Sequence, residues 1–411
     1  MANFIKNYKS SLILMSSLII GGIIGGFVGP KIVFVKPIAD IFLNLLYCSV
    51  VPMVFISLVS AIAKMEDLKK LRKILLNMLV IFIVTGVIAA IFMIIICVIF
   101  KVSPNAGDIV FKDKVSDLKG NSDILSMLTV NDFPLLWSRQ NLTALIVFAI
   151  FIGIACATLG EKASKVITLF DQLTNVIMQV VTFIMKLAPI GLGCYFAILI
   201  GEQGSSLNGP LVKAVVIFLV SVICYYILST TVFGFIGAGR QGVKALWKNI
   251  LPPTMTALGT SSSAATLPIN IDSGLSIGIP EDVNNIVLPL GANLHKDGAV
   301  LIQILKIFFL APLFNVDMAK PSHLITAIAI SVLASSVMGA VPAGGYAGEI
   351  FLMSAFGFPP TSIPVMVLLG TITDAPATAV NCTGDLGVAM IVSRIVHGKD
   401  WLKLKLSGDE A

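Results

Sequence analysis

Among the stretches of this chain that run for twenty residues or more without a charged side chain are Ser11 to Pro30, Ile41 to Ala63, Ile74 to Phe100, Asn141 to Gly160 and Ala214 to Gly239. Each matches the ~20 residues of helix that cross ~30 Å of hydrocarbon. The rest of the composition agrees. With 57% hydrophobic and only 12% charged residues over 411 positions, the chain has more apolar surface than a water-soluble core can hide. The chain therefore reads as an all-α polytopic membrane protein. Its first apolar run is too long for a signal peptide, no small-x-small cleavage site precedes Pro30, and a second run follows soon after, so it reads as a retained span.

The basic residues orient the spans. Lys6 and Lys9, then Lys64, Lys69, Lys70, Arg72 and Lys73, then Lys162 and Lys165, then Arg240, Lys244 and Lys248 fall at alternate loops. The positive-inside rule assigns these loops to the cytoplasm, which leaves the aspartate-bearing segment 101–140 outside. The net charge of +6 is then an orientation signal, with no basic face or stacking array for nucleic acid. Both termini, including the tail 397–411, are expected in the cytoplasm of a plasma (inner) membrane protein.

Several chemistries find no support. The six cysteines lie in apolar stretches without paired spacing and read as small buried hydrophobes. His295, His323 and His397 are scattered, so no zinc site is expected, and no phosphate-binding loop of the Gly-x4-Gly-Lys-Ser/Thr type occurs. An intramembrane aspartyl protease would need its second aspartate on a separate helix. An enzyme is not expected, nor any organic cofactor.

The C-terminal half departs from simple spanning helices. Asn249 to Ile271 is uncharged, but Pro252, Pro253, the run Ser261-Ser262-Ser263 and Pro268 argue against one continuous helix. Leu324 to Gly357 is interrupted by Gly339 to Gly345, which leaves arms of about 15 residues, or ~22 Å of helix, too short to cross alone. Each is expected to form a re-entrant hairpin. Between and after them lie Asp282 to Phe314, interrupted at Asn293 to Gly298, and Thr361 to Val396, which holds Asp374 and Asp385. The order hairpin, broken helix, hairpin, broken helix is an internal repeat. Such paired discontinuous elements point to a secondary transporter with a midplane site, because broken helices expose N–H groups that hold a carboxylate and carbonyls that hold a cation.

Four motifs carry a resemblance: Ser261 to Pro268, Leu290 to Gly298, Val341 to Gly345 and Asn381 to Asp385. In this order and spacing they resemble the signatures of the dicarboxylate/amino acid:cation symporter, or glutamate transporter, family. The likeness extends to Val147 to Ile150 and Ala188 to Gly191. It implies eight transmembrane helices, two re-entrant hairpins in inverted repeats, and a homotrimer working by an elevator motion. The scaffold would comprise 1–73 and 141–208, and the moving transport portion 74–100 and 209–396. Ser262 and Ser263, with the backbone at Val341, Pro342 and Gly344, would hold the substrate α-carboxylate. Asp374 would bind the α-amino group beside Thr378 and Asn381. Set against these roles, the serines could be a helix cap, and Asp374 could be a structural ion pair with Arg394 or a lysine.

Acidic-substrate members carry an arginine three residues after the aspartate, where this chain has Ala377. Other family arginine positions correspond to Ser261 and Gly370. A second substrate carboxylate would lack a fixed cation, so a neutral amino acid is expected; His295 or Lys296 as substitute cation would instead permit glutamate or a dicarboxylate.

The coupling ion, sodium or a proton, is where the chain departs furthest. Family sodium sites would use Asp385 with Asn381, and Asp297 with neighbours such as Thr85 and Asn293. Here the usual asparagine-methionine pair before Asp297 is His295-Lys296, and Gly86 follows Thr85. A lysine ammonium beside Asp297 would repel a mobile cation ~4 Å away by several kcal/mol in a partly desolvated site. Lys296 is therefore expected as a built-in cation that reduces sodium dependence, unless it merely pairs with Glu349. An uncoupled carrier, exchanger or channel is the rival to a symporter.

Overall fold

The computed structural model describes residues 2–63, 70–102, 129–138, 141–203, 208–314, 316–337 and 344–407. Among them the chain is helical, with no strand. In order the helices are α1 (Ala2–Val28), α2 (Lys36–Ala63), α3 (Lys70–Phe100), α4 (Leu142–Leu159), α5 (Ser164–Met185), α6 (Ala188–Gln203) and α7 (Asn208–Asn249). There follow α8 (Leu251–Thr260), α9 (Ser263–Ile277), α10 (Glu281–Leu294), α11 (Asp297–Leu310), α12 (Pro321–Val337), α13 (Gly344–Phe356), α14 (Ile363–His397) and α15 (Trp401–Ser407). Six segments are long and apolar enough to cross a membrane: Ser16–Phe42, Lys73–Phe100, Val147–Ile184, Gly209–Asn249, Glu281–Phe314 and Pro360–His397. The protein is thus an all-α, multi-pass membrane protein.

Helices α1, α2, α4, α5 and α6 pack mainly on one another. Small residues close the α1–α6 seam: a Cβ on Gly21 would come within 2.3 Å of Gly193 O, and one on Gly25 within 2.1 Å of Ala197 O. Their spacing of four is the small-residue pattern that lets helix backbones touch in lipid. Outward, α1 shows Ile19, Ile20, Ile23, Ile24 and Phe27, an apolar face suited to acyl chains.

The second group surrounds α11, every residue of which is buried although it contains Asp297, Gln303 and Lys306. It packs on α14, α3 and α12, and α14 packs along α7. Helix α7 kinks at Ala238 and Gly239, the latter at φ 63°, which glycine adopts without penalty. The carbonyls around the kink are met by donors: Arg394 donates to Ile236 O, and Trp401 Nε1 to Gly237 O at 3.0 Å.

Two pairs of short helices occur at the positions where re-entrant hairpins are expected. Helices α8 and α9 pack on each other and are joined by Ser261, in the left-handed region, and Ser262. Helices α12 and α13 pack likewise, while residues 338–343, which include Val341 and Pro342, lie outside the described residues. The break at His295 and Lys296 between α10 and α11 is present.

Two expectations need correction. Thr361 to Val396 does not form a broken helix; α14 runs without interruption through Pro376. A proline deletes only one intrahelical donor, a loss that buried neighbouring helices and Thr hydroxyls can absorb. Nor are all six cysteines buried: Cys48 and Cys224 are exposed on apolar outer faces, and all six are free thiols.

Candidate functional site

The chain break between α10 and α11 brings the predicted residues together. His295 (φ −94°, ψ 110°) and Lys296 (φ −140°, ψ 52°) lie in extended or bridging backbone, so their side chains leave on opposite sides. The N–H groups that open α11 are not left bare: Asn381 Oδ1, from α14, accepts from Gly298 N at 2.8 Å and from Ala299 N at 3.3 Å. Gly298 makes this approach feasible, since a Cβ there would lie 2.2 Å from Ala377 O. Ala377 itself is buried.

Around the first serine run the side chains divide. Ser262 Oγ accepts from Ala265 N at 3.2 Å and so caps α9. Ser263 Oγ accepts from Lys296 Nζ at 2.8 Å, and both residues are buried. Lys296 is therefore turned toward the serine run, within electrostatic reach of Asp374 and Asp385, and does not contact Glu349. Asp374 is hydrogen-bonded by Thr378 and interacts with Lys296, Lys306 and Glu349. Arg394 is occupied at the α7 kink instead.

His295 takes the position between the two remaining aspartates. Nδ1 lies 2.9 Å from Asp385 Oδ1; Nε2 lies 3.3 Å from Asp297 Oδ1 and 3.0 Å from Thr85 Oγ1. The ring stacks on Phe82 with centroids 4.8 Å apart. Tyr225 donates to Asp297 Oδ2 at 2.8 Å. Among the described residues Asp297 Oδ1 and Asp385 Oδ2 have no hydrogen-bond partner. Oxygen donors for a hard cation are thus present, but an imidazole edge faces both carboxylates. An imidazolium can donate to both at once, whereas the neutral ring can donate to only one. Asn293 is not part of this cluster; its Nδ2 donates to Pro289 O at 2.9 Å.

Three residues in or beside the site carry no motif. Tyr225 and Phe82 sit in plain apolar spans, and a tyrosine in a charge-free run is the single signal that could have drawn attention to the first. Lys306, paired with Glu349 Oε1 at 2.7 Å, is visible in sequence as a charge inside an apolar helix, though its partner is not.

A family model for the sodium:dicarboxylate symporter family matches residues 11–395. The chain is 28% identical over 403 residues to the proton/sodium-glutamate symport protein of Bacillus caldotenax, which covers 93% of this chain and 92% of the relative. It is 27% identical over 359 residues to the C4-dicarboxylate transport protein of Bacillus subtilis, covering 83% and 82%. Over 275 residues it is 31% identical to neutral amino acid transporter B(0) of Rattus norvegicus, covering 65% and 49%. The family match spans nearly all the helices, and it includes the serine run, the break at His295 and the Asp374 to Asp385 segment. The chain belongs to the sodium:dicarboxylate symporter family, a membrane transporter and not an enzyme.

Proposed function

We propose that this protein is a cation-coupled secondary symporter for a neutral amino acid, with reduced dependence on sodium. The observation that carries the coupling reading is the His295 imidazole between Asp297 and Asp385. A sodium ion bridging the two carboxylates would have to displace the imidazole edge that faces both, and protonation of that ring needs no such displacement. Neutral selectivity rests on Ala377, buried against α11, where an arginine would otherwise meet a second carboxylate. Lys306 does not replace that arginine, because Glu349 already neutralises it.

In this reading Asp374 binds the α-amino group, and Ser263 with the second helix pair near Gly344 holds the α-carboxylate. Residues 1–73 and 141–208 serve as the scaffold of a homotrimer, past which 74–100 and 209–396, carrying the two short-armed re-entrant hairpins, move as an elevator. Eight spans leave both termini in the cytoplasm.

One observation favours a second reading: Lys296 Nζ on Ser263 is a fixed cation inside the substrate region, as an acidic substrate would need. Relatives that transport glutamate and C4-dicarboxylates fit it. Purified protein in liposomes, offered labelled neutral and acidic amino acids and dicarboxylates under imposed sodium or proton gradients, decides between them. A neutral amino acid should accumulate against its gradient. Preferential glutamate or dicarboxylate uptake establishes the second reading; equilibration without accumulation establishes an uncoupled carrier.

A further inference from the structure

The buried pair Lys306–Glu349 has no part in the functions assigned above. Its two members come from different elements, α11 and α13, with their ionic groups 2.7 Å apart and their side chains 2% and 6% exposed. Replacing such a pair by apolar residues of similar volume is often neutral or stabilising, so helix packing alone does not account for it. Glu349 is also only half satisfied: Oε1 accepts from Lys306, while the buried Oε2 has no hydrogen-bond partner among the described residues. A carboxylate oxygen in that state calls for a donor.

The position of the pair says where the donor would come from. It lies directly against α14 at Gly370, where a Cβ would be 2.6 Å from Glu349 Oε1 and 2.9 Å from Lys306 Nζ. Gly370 is one helical turn, about 6 Å, before Asp374 and on the same face. Asp374 interacts with both members of the pair. A substrate whose ammonium rests on Asp374 would therefore direct a short side chain along α14 toward this pair.

Resting on the assignment of Asp374 to the substrate ammonium, we propose that Lys306 and Glu349 form the subsite for the substrate side chain. The subsite selects an uncharged side chain that carries a hydrogen-bond donor, a hydroxyl or a carboxamide. The three alternatives are disfavoured for separate reasons. An apolar side chain leaves Oε2 unpaired, an acidic one meets the Glu349 carboxylate, and a basic one meets the Lys306 ammonium. The glycine at 370 lets the pair lie directly against α14, where any protein side chain would displace it.

The test is competition for uptake in proteoliposomes between amino acids matched in size: serine against alanine, threonine against valine, glutamine against methionine. The native protein should favour the donor-bearing member of at least one couple by about tenfold or more, the scale of one hydrogen bond to a charged group. Glu349→Gln, which keeps the shape, should reduce that ratio severalfold. The double variant Lys306→Met/Glu349→Met should abolish it. Equal or better uptake of the apolar members by the native protein overturns the subsite and leaves the transporter assignment standing. So does a ratio unchanged in Glu349→Gln, which would reduce the pair to a strut between α11 and α13. Absence of uptake for every amino acid removes the subsite together with the function on which it rests.

Discussion

The side chains that hold this site together are charged groups with almost no access to water, so each is defined by the one or two partners it meets. Asp374 illustrates the point, with Thr378 donating to it and a substrate ammonium assigned to it. Asp374→Asn should weaken amino-acid binding by roughly 2 to 5 kcal/mol, the usual consequence of breaking a buried charge pair, with the assembled protein unchanged. Isothermal titration beside a size measurement checks it; normal binding, or loss of assembly, would return Asp374 to a structural role. His295 allows a sharper test. Replacing it with asparagine, the residue typical of the family, removes the ring that faces both carboxylates and opens space beside Asp297 Oδ1 and Asp385 Oδ2. Uptake by His295→Asn should depend more steeply on sodium than uptake by the native protein, whereas Lys296→Met should leave the imidazole in place and change sodium dependence little. If choline in place of sodium abolishes uptake by the native protein at every pH, the imidazole does not substitute for the ion.

At the level of elements, the decisive contact is between α11 and α14. The break at His295 and Lys296 would leave the first N–H groups of α11 unpaired in an apolar interior, and Asn381 supplies the missing acceptor from across the interface. This works only because Gly298 lets the two backbones meet. Gly298→Val puts branched carbon where Ala377 O already stands, and such overpacking should cost about 1 to 3 kcal/mol as well as displacing Asn381. Thermal unfolding should show the loss, with Gly259→Ala as the control, since nothing lies within 4 Å of a Cβ there. An equal effect of the two substitutions would mean that the close approach does not matter. The kink of α7 follows the same logic, with Arg394 and Trp401 supplying donors to carbonyls that the helix itself no longer uses.

For the whole molecule, apolar outer faces and a buried polar centre describe a protein solvated by lipid outside and by its own side chains within. The orientation proposed from its basic loops is directly measurable. In a cysteine-free background, a cysteine at Asp117 should react with an impermeant maleimide applied to intact cells, while one at Lys405 should react only after permeabilisation. The reverse pattern would invert the topology. The trimer is likewise testable: a mass measurement in detergent or nanodiscs should return three copies.

Much of the architecture was legible because it depends on local composition. Charge-free length marks a span, and prolines, serines and glycines mark breaks, so the apolar spans, the two short-armed pairs and the break before Asp297 could all be read from the chain. The break expected within Thr361 to Val396 is absent: α14 stays continuous through Pro376, since a proline removes only one intrahelical donor. The choice of partners could not be read. His295 and Lys296 are neighbours in sequence, yet the extended backbone sends one ring to Asp297 and Asp385 and the other ammonium to Ser263. Tyr225 reaches Asp297 across 72 residues, and Lys306 meets Glu349 across 43. In a membrane interior a buried charge must find its counterpart wherever packing delivers it. Composition thus determined that this protein holds charges within the bilayer, while only the tertiary structure decided which carboxylate each of them serves.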